Sequence, residues 1–231
     1  MQHRLALLHT SPVLVPVFDG LCQQVLPEVE RYHMVDESLI RNTVRAGRLE
    51  KPTIRRLVAE IGVAFEGGAT AVFVTCSSIG PGVSAARQLY EEPIFRIDEA
   101  MAAKAVTMGS RVGVLATVRT TLEPTVQLIR DSAKTAGTVV TVEAGLCEGA
   151  FDAVLAGDGA GHDRIVREGL MRLAGLADVV VLAQASMARV IENIAEGELK
   201  VPVLTSPMLA VQQIRVALGL SRAQVPVGVS A

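Results

Sequence analysis

No tryptophan occurs anywhere in the 231 residues, and aromatic side chains make up only 3% of them, so an interior organised around large rings is excluded. Charge of one sign is equally scarce. The 22 Lys and Arg stand against 24 Asp and Glu, a net charge of −2, which leaves no basic excess for nucleic acid or an anionic membrane. Long apolar runs are missing too: none approaches the ~18 residues that cross a bilayer. The first apolar stretch is broken by His9, Pro12, Pro16 and Asp19, unlike the core of a secretory leader. The three cysteines, Cys22, Cys76 and Cys147, are odd in number and far apart. That pattern excludes a disulfide framework and a cysteine metal site, and predicts a reduced, cytoplasmic setting.

What the chain does have is aliphatic residue. Hydrophobic types make up 50% of it, mostly alanine, valine and leucine, as in a parallel sheet covered by helices on both faces. The sequence also repeats itself. Arg4–Thr10 is echoed by Arg111–Thr117, Ala71–Cys76 by Val179–Gln184, and Pro93–Phe95 by Pro202–Leu204. The offsets are 107, 108 and 109 positions (111 − 4, 184 − 76, 202 − 93), in the same order in both halves. The repeat predicts two similar α/β lobes. Each would carry a four-stranded parallel sheet flanked by helices, the two related by a pseudo-twofold with a cleft between them. Strands are expected near 4–9, 29–35, 71–76 and 93–97, and again near 111–116, 138–143, 178–183 and 201–205.

Helical spacing of Ile54, Leu57, Val58, Ile61 and Phe65 predicts a helix with Thr53 as its N-cap. Thr120-Thr121-Leu122-Glu123-Pro124 reads as another helix start, with a hydroxyl cap, an early glutamate and a proline in the first turn. Asp98-Glu99 and Ser206-Pro207 should open helices that carry the chain between lobes. The first lobe is then expected to hold 1–98 plus 207–231, and the second 99–206.

Cys76 is the candidate on which the functional reading turns. It ends the apolar run Ala71-Val72-Phe73-Val74-Thr75 and is followed by Ser77-Ser78-Ile79-Gly80-Pro81-Gly82, a buried strand opening into a loop and helix. Ligands of open α/β sheets bind at the carboxyl ends of strands, and backbone N–H groups at a helix start favour a thiolate. Packing is the alternative, since free cysteine is a small, often buried hydrophobe.

With these residues in hand, the sequence resembles the aspartate/glutamate/hydantoin racemase superfamily. The resemblance lies in the strand order, the duplication, the Thr75-Cys76-Ser77-Ser78 turn, the Gly113–Thr117 strand end and Val180–Met187. It implies a cofactor-independent enzyme acting at the carbon beside the carboxylate or carbonyl of a small acid, and a homo-oligomer. In such two-thiol sites one thiolate takes the α-proton and a second thiol returns one from the other face, while fixed donors hold the enediolate. Here the mate of Cys76 is Gln184, and an amide neither gives nor takes a proton at neutral pH. One-thiol chemistry is therefore an alternative, as in family decarboxylases and maleate-type cis–trans isomerases. A catalytically silent small-acid sensor is a further one.

The remaining candidates follow from position. Ser77 and Ser78 match hydroxyls that hold a substrate carboxylate in relatives; Thr117, Thr120 and Thr121 occupy the mirror-image loop. Helix capping competes with binding at each of these. Arg119 fits either a carboxylate clamp or a solvated surface. His9-Thr10-Ser11 ends the first strand, where His9 would supply the missing acid–base or else serve as a bonded structural residue. Gln184 and Ser186 are expected to bind substrate rather than carry protons. Cys22 and Cys147 read as packing residues. Gly157–Asp163 reads as a flap bearing His162, or as a plain loop with Asp163 starting the next helix. Asp36 and Asp98 should favour helix dipoles.

Overall fold

The structure, a computed structural model, describes residues 3–195 and 197–220. The first half runs β1 (Arg4–His9), α1 (Leu14–Val25), β2 (Glu30–Val35), α2 (Glu37–Ala46), α3 (Lys51–Glu66), β3 (Ala71–Val74), α4 (Val83–Ala86), β4 (Ile94–Arg96) and α5 (Glu99–Ala105). The second runs β5 (Arg111–Ala116), α6 (Arg119–Thr135), β6 (Thr141–Leu146), α7 (Ala150–Leu155), α8 (Gly159–Ala174), β7 (Val179–Leu182), α9 (Ala188–Glu192), β8 (Val203–Thr205) and α10 (Ser206–Ala217). The strands form two separate sheets, ordered β2-β1-β3-β4 and β6-β5-β7-β8, and every pairing is parallel. The expected duplicated architecture is therefore the observed one.

Burial on both faces explains why the central strands read as continuous apolar runs. In β1, Leu5 and Leu7 join Phe18, Val25, Val211 and Ile214 under α1 and α10, while Ala6 and Leu8 join Leu57, Ile61 and Val83 under α3 and α4. The second sheet repeats this. Val112, Val114, Val179 and Val181 pack with Met101 and Ile129 on one side, and Leu115, Val180 and Leu182 with Val166 and Leu170 on the other. Helix α5 packs on α6, β7 and β8, and α10 returns to pack on α1 and β4. In each sheet the chain leaves the first strand to one side and returns on the other, so the carboxyl ends of β1/β3 and of β5/β7 are switch points where a crevice opens.

Several local expectations need correction. Strand β6 lies at 141–146 rather than 138–143: α6 runs on to Thr135 and ends at a left-handed Gly137, which pushes the β-branched Thr138-Val139-Val140 into the connector. Val139 is solvent-exposed there. Helix α3 starts at Lys51, with Glu50 at the cap position and Pro52 in the first turn, so Thr53 lies inside the helix. Helix α6 starts at Arg119 with no side-chain cap, and Pro124 falls inside it rather than in its first turn. The glycine-rich segment 157–163 is not a free loop. Asp158, not Asp163, caps α8 by accepting from the Gly161 N–H at 2.8 Å, and His162 is helical. Asp36 does cap α2, through the Ser38 N–H at 2.9 Å. The segment 221–231, expected to continue the last helix, lies outside the described residues.

Candidate active site

The two sets of strand ends converge on one cavity of about 650 Å³. Its floor carries Thr10 and Cys76 from the first sheet and Thr117 and Gln184 from the second, each just past the end of β1, β3, β5 or β7. Hydrogen bonds stitch the halves together across it: the Ser77 hydroxyl donates to the Ala183 carbonyl at 3.1 Å, and Ser78 Oγ meets Thr121 Oγ1 at 2.7 Å. Ser77, Ser78, Thr121 and Ser186 also line the cavity.

The two floor pairs are mirror images with different chemistry. In the first lobe the Thr10 hydroxyl bonds the Cys76 sulfur, and the N–H groups of Ser78 and Ile79 point at it as well. Burial nonetheless outweighs these donors and, with a smaller push from the Asp98 carboxylate, raises the Cys76 thiol above its ordinary range. The sulfur sits on the cavity floor, partly open yet crowded by protein, so the resting group is a thiol. The expectation that a helix start would hold it as a thiolate is thus overturned. Gly80-Pro81-Gly82 form only a short 3-10 turn and α4 has four residues, too little helix to supply a field. In the second lobe Gln184 Oε1 accepts from the Thr117 N–H at 2.6 Å and the Thr117 hydroxyl at 2.9 Å. Because a backbone N–H needs an acceptor, the amide orientation is fixed, and the Gln184 NH₂ is left to donate to a ligand.

Not every candidate reaches the cavity. His9 is fully buried and does not line it. Its Nδ1 bonds Thr75 Oγ1 at 2.8 Å and its Nε2 bonds His33 Nδ1 at 2.9 Å, so both ring nitrogens are engaged. Burial, helped by the neighbouring His33, lowers its pKa to about 4. Thr120 is buried away from the cavity, and Arg119 is solvated. Cys22 and Cys147 are buried in apolar clusters, where burial pushes both thiols up to about 11.

Sequence reading missed two features. Asp98 is not a helix-dipole residue. It is wholly buried and chelated by Arg96, Nε to Oδ1 at 3.0 Å and Nη2 to Oδ2 at 2.9 Å. That guanidinium lies against Gly80, where a Cβ would come within 2.8 Å of it, and so braces the loop that follows the thiol. The floor therefore carries no unpaired cation, and its donors are neutral hydroxyls, amides and N–H groups. The second missed feature is the cavity's apolar outer wall. Ile40 and Val44 of α2 face Phe151, Val154 and Leu155 of α7, with Val13 beside them and Arg41 and Arg45 at the rim. Val13, Val44, Val154 and Leu155 remain exposed. The available signal was amphipathic α2, with apolar and cationic residues four apart. Among the described residues no three His, Cys, Asp or Glu side chains gather as metal ligands, and no helix is long and apolar enough to cross a membrane.

A doubled parallel α/β fold with a thiol at the shared switch-point cleft defines a narrow class, and comparison with known proteins agrees. The sequence model of the Asp/Glu/Hydantoin racemase family matches residues 8–214. Glutamate racemase from Francisella tularensis, solved with D-glutamate, superposes with a TM-score of 0.73 at 14% identity, covering 97% of this chain and 86% of that one. Glutamate racemase from Bacillus anthracis gives 0.71 at 17% identity, covering 94% and 82%. Allantoin racemase from Klebsiella pneumoniae gives 0.68 at 21% identity, covering 96% and 91%. Among curated proteins no sequence matches. The chain belongs to the Asp/Glu/Hydantoin racemase family and is an enzyme of its racemase and isomerase type.

Proposed function

We propose that this enzyme is a cofactor-independent isomerase of a small acid, working at the carbon beside its carboxylate or carbonyl, with Cys76 exchanging the proton. The observation that carries the reading is the division of one cavity into two environments. Thr10, Cys76, Ser77, Ser78, Thr117 and Gln184 meet on the floor, while apolar side chains of α2 and α7 form the outer wall. Neutral donors around the acyl oxygen stabilise the negative charge that develops as an α-proton leaves. They do so for a hydrogen-bonded carboxylate or an uncharged carbonyl alike, because Arg96 is already committed to Asp98. The apolar wall favours a substrate with a hydrophobic arm over one with a second charge.

In this reading the Gln184 NH₂ and the one hydroxyl of the Ser78–Thr121 pair that does not donate to the other hold the acyl group, while Ser77 and Thr117, whose hydroxyls already donate to Ala183 and Gln184, fix the floor, and Ser186 lines the same cavity. His9 takes no part in proton transfer; it braces β1 against β3 through Thr75. Homo-oligomerisation and a cytoplasmic setting belong to the same proposal.

The test is a screen of amino acids, 5-substituted hydantoins, maleate and malonates in deuterated water, followed by optical rotation and mass. Cys76→Ser should abolish inversion while retaining ligand binding. Unchanged turnover in that variant would defeat the thiol mechanism. Binding by the wild-type protein with no turnover of any compound would favour the silent sensor, which the Gln184 substitution makes the specific rival.

A further inference from the structure

The second lobe lacks a thiol opposite Cys76, but it does not lack a titratable group. His162 lies in the first turn of α8, is 1% exposed, and lines the same cavity. Its Nδ1 meets Asp163 Oδ1 at 2.7 Å, and Arg189 Nε donates to that same carboxylate oxygen at 2.9 Å. Burial disfavours the charge on Asp163, yet the hydrogen bonds from His162 and Arg189 keep its carboxyl below the ordinary range. A carboxylate on Nδ1 fixes that nitrogen as the N–H, so in the neutral ring Nε2 carries the lone pair.

Nε2 is buried and has no hydrogen-bond partner. Among the described residues it is the one buried, unpartnered side-chain polar atom that belongs to a cavity-lining residue. Leaving such an atom unpaired costs about 1–3 kcal/mol, and that cost needs an explanation in the ligand-free protein. The duplication sharpens the point. Helix α3 spans 51–66 and α8 spans 159–174, the same length 108 positions apart (159 − 51). The mate of His162 is therefore Ile54 (162 − 108), an ordinary apolar residue. The imidazole is an addition peculiar to the lobe that has lost the thiol.

We propose that His162, oriented by Asp163, is the second proton carrier of this site and works on the substrate face opposite Cys76. The inference rests on the isomerase reading above. As the α-carbon–hydrogen bond breaks, Nε2 takes the proton and the bonding electron pair moves into the acyl group, giving an enediolate or enolate held by the floor donors. The Cys76 thiol then delivers its proton to the other face and becomes a thiolate. Reverse turnover starts from imidazolium and thiolate and restores the first state, so no further reactant is needed. Asp163 is a positioning residue that fixes the tautomer and stabilises the imidazolium.

Two measurements on the full chain test this. The first follows both enantiomers of phenylalanine and of 5-benzylhydantoin in deuterated water. His162→Gln should lower inversion by about 100-fold or more, the range typical of losing a general base, while one enantiomer still exchanges deuterium with retention through Cys76. Cys76→Ser should show the complementary exchange on the other enantiomer. Asp163→Asn should lower kcat more than it changes KM. Inversion by His162→Gln within about threefold of wild type overturns the proposal.

The second measurement needs no substrate: carboxymethylation by bromoacetate, mapped by mass spectrometry. Wild type should be labelled at Cys76, and Cys76→Ser at His162 Nε2. Label at Cys76 but none at His162 in Cys76→Ser overturns the role of His162 and leaves the thiol reading standing. Absence of label at both positions overturns both. Folding of each variant is checked by circular dichroism. If His162→Gln fails to fold, the Asp163→Asn kinetics and the bromoacetate map decide alone.

Discussion

Lowering the pH should destabilise this protein through one residue, His9, by an amount the structure sets. The ring is fully buried, bonded at both nitrogens, and stacked on His33 with centroids 5.1 Å apart. Burial and the neighbouring imidazole hold its pKa at about 4 against an ordinary 6.5. A depressed folded value means stability is fully present above the unfolded pKa and is lost as pH falls toward the folded one. Between about pH 6.5 and pH 5 the unfolded chain has bound a proton here that the folded chain has not, at about 1.4 kcal/mol per unit. The loss is about 2 kcal/mol.

With a urea slope of about 2–3 kcal/mol per M, the wild-type midpoint drops by roughly 0.7–1 M from this source when the pH is lowered from about 7.5 to 5. Other groups titrate over the same range, so the assay compares wild type with His9→Gln, which retains His33, Asp19 and Arg31 nearby. The variant should be less stable at the higher pH, with a drop smaller by about 2 kcal/mol. Equal drops, within about 0.5 kcal/mol, would show that His9 ionises freely inside the fold and would refute the argument from burial. It would also reopen His9 as a proton carrier.

Three further outcomes are expected. Arg96→Met leaves Asp98 buried without its partner and should cost about 3–5 kcal/mol by urea unfolding, with the loop after Cys76 loosened; a loss below about 1 kcal/mol would show that Asp98 finds water or sheds its charge easily. Limiting iodoacetamide near neutral pH should alkylate Cys76 before Cys22 and Cys147, because of the three only its sulfur meets the cavity while the other two lie buried in apolar clusters; equal rates in the folded protein would make Cys76 a packing residue. Gln184→Cys in a His162→Gln background should restore inversion of an accepted substrate, since it returns a proton carrier to the second lobe; failure despite a folded protein would mean that position 184 only binds.

The architecture was legible because it depends on pattern. Aliphatic runs buried on both faces look alike wherever a parallel strand is central, and the repeat of Arg4–Thr10 at Arg111–Thr117 exposed the duplication without a single three-dimensional contact. The placement of Cys76 and Gln184 on one floor followed from strand order together with the duplication, because the carboxyl ends of the two central strands of each sheet emerge together and the two facing lobes turn them into one cleft. Boundaries failed where a local propensity lost to geometry: Thr138-Val139-Val140 has strand composition but is consumed in leaving α6. Chemistry failed where two residues from different elements decide each other's state. Asp98 reads as a helix-start acid until Arg96 folds onto it, and His9 reads as either an acid–base or a bonded structural residue until Thr75 and His33 take both its nitrogens.

A duplicated chain offers a remedy for that second kind of failure, because each half is a control for the other. Where mates share a structural duty they agree: Thr10 and Thr117 both turn a hydroxyl to the residue beyond the neighbouring strand. Where they differ, the difference marks what one lobe does and the other does not. Cys76 against Gln184 is legible in the sequence and sets a thiol, which can carry a proton, against an amide, which can only hydrogen-bond. Ile54 against His162 was equally present in the sequence, but its weight depends on α3 and α8 being equal helices and on His162 lining the cavity. The asymmetries that carry chemistry become readable only once the symmetry that carries the fold has been placed in space.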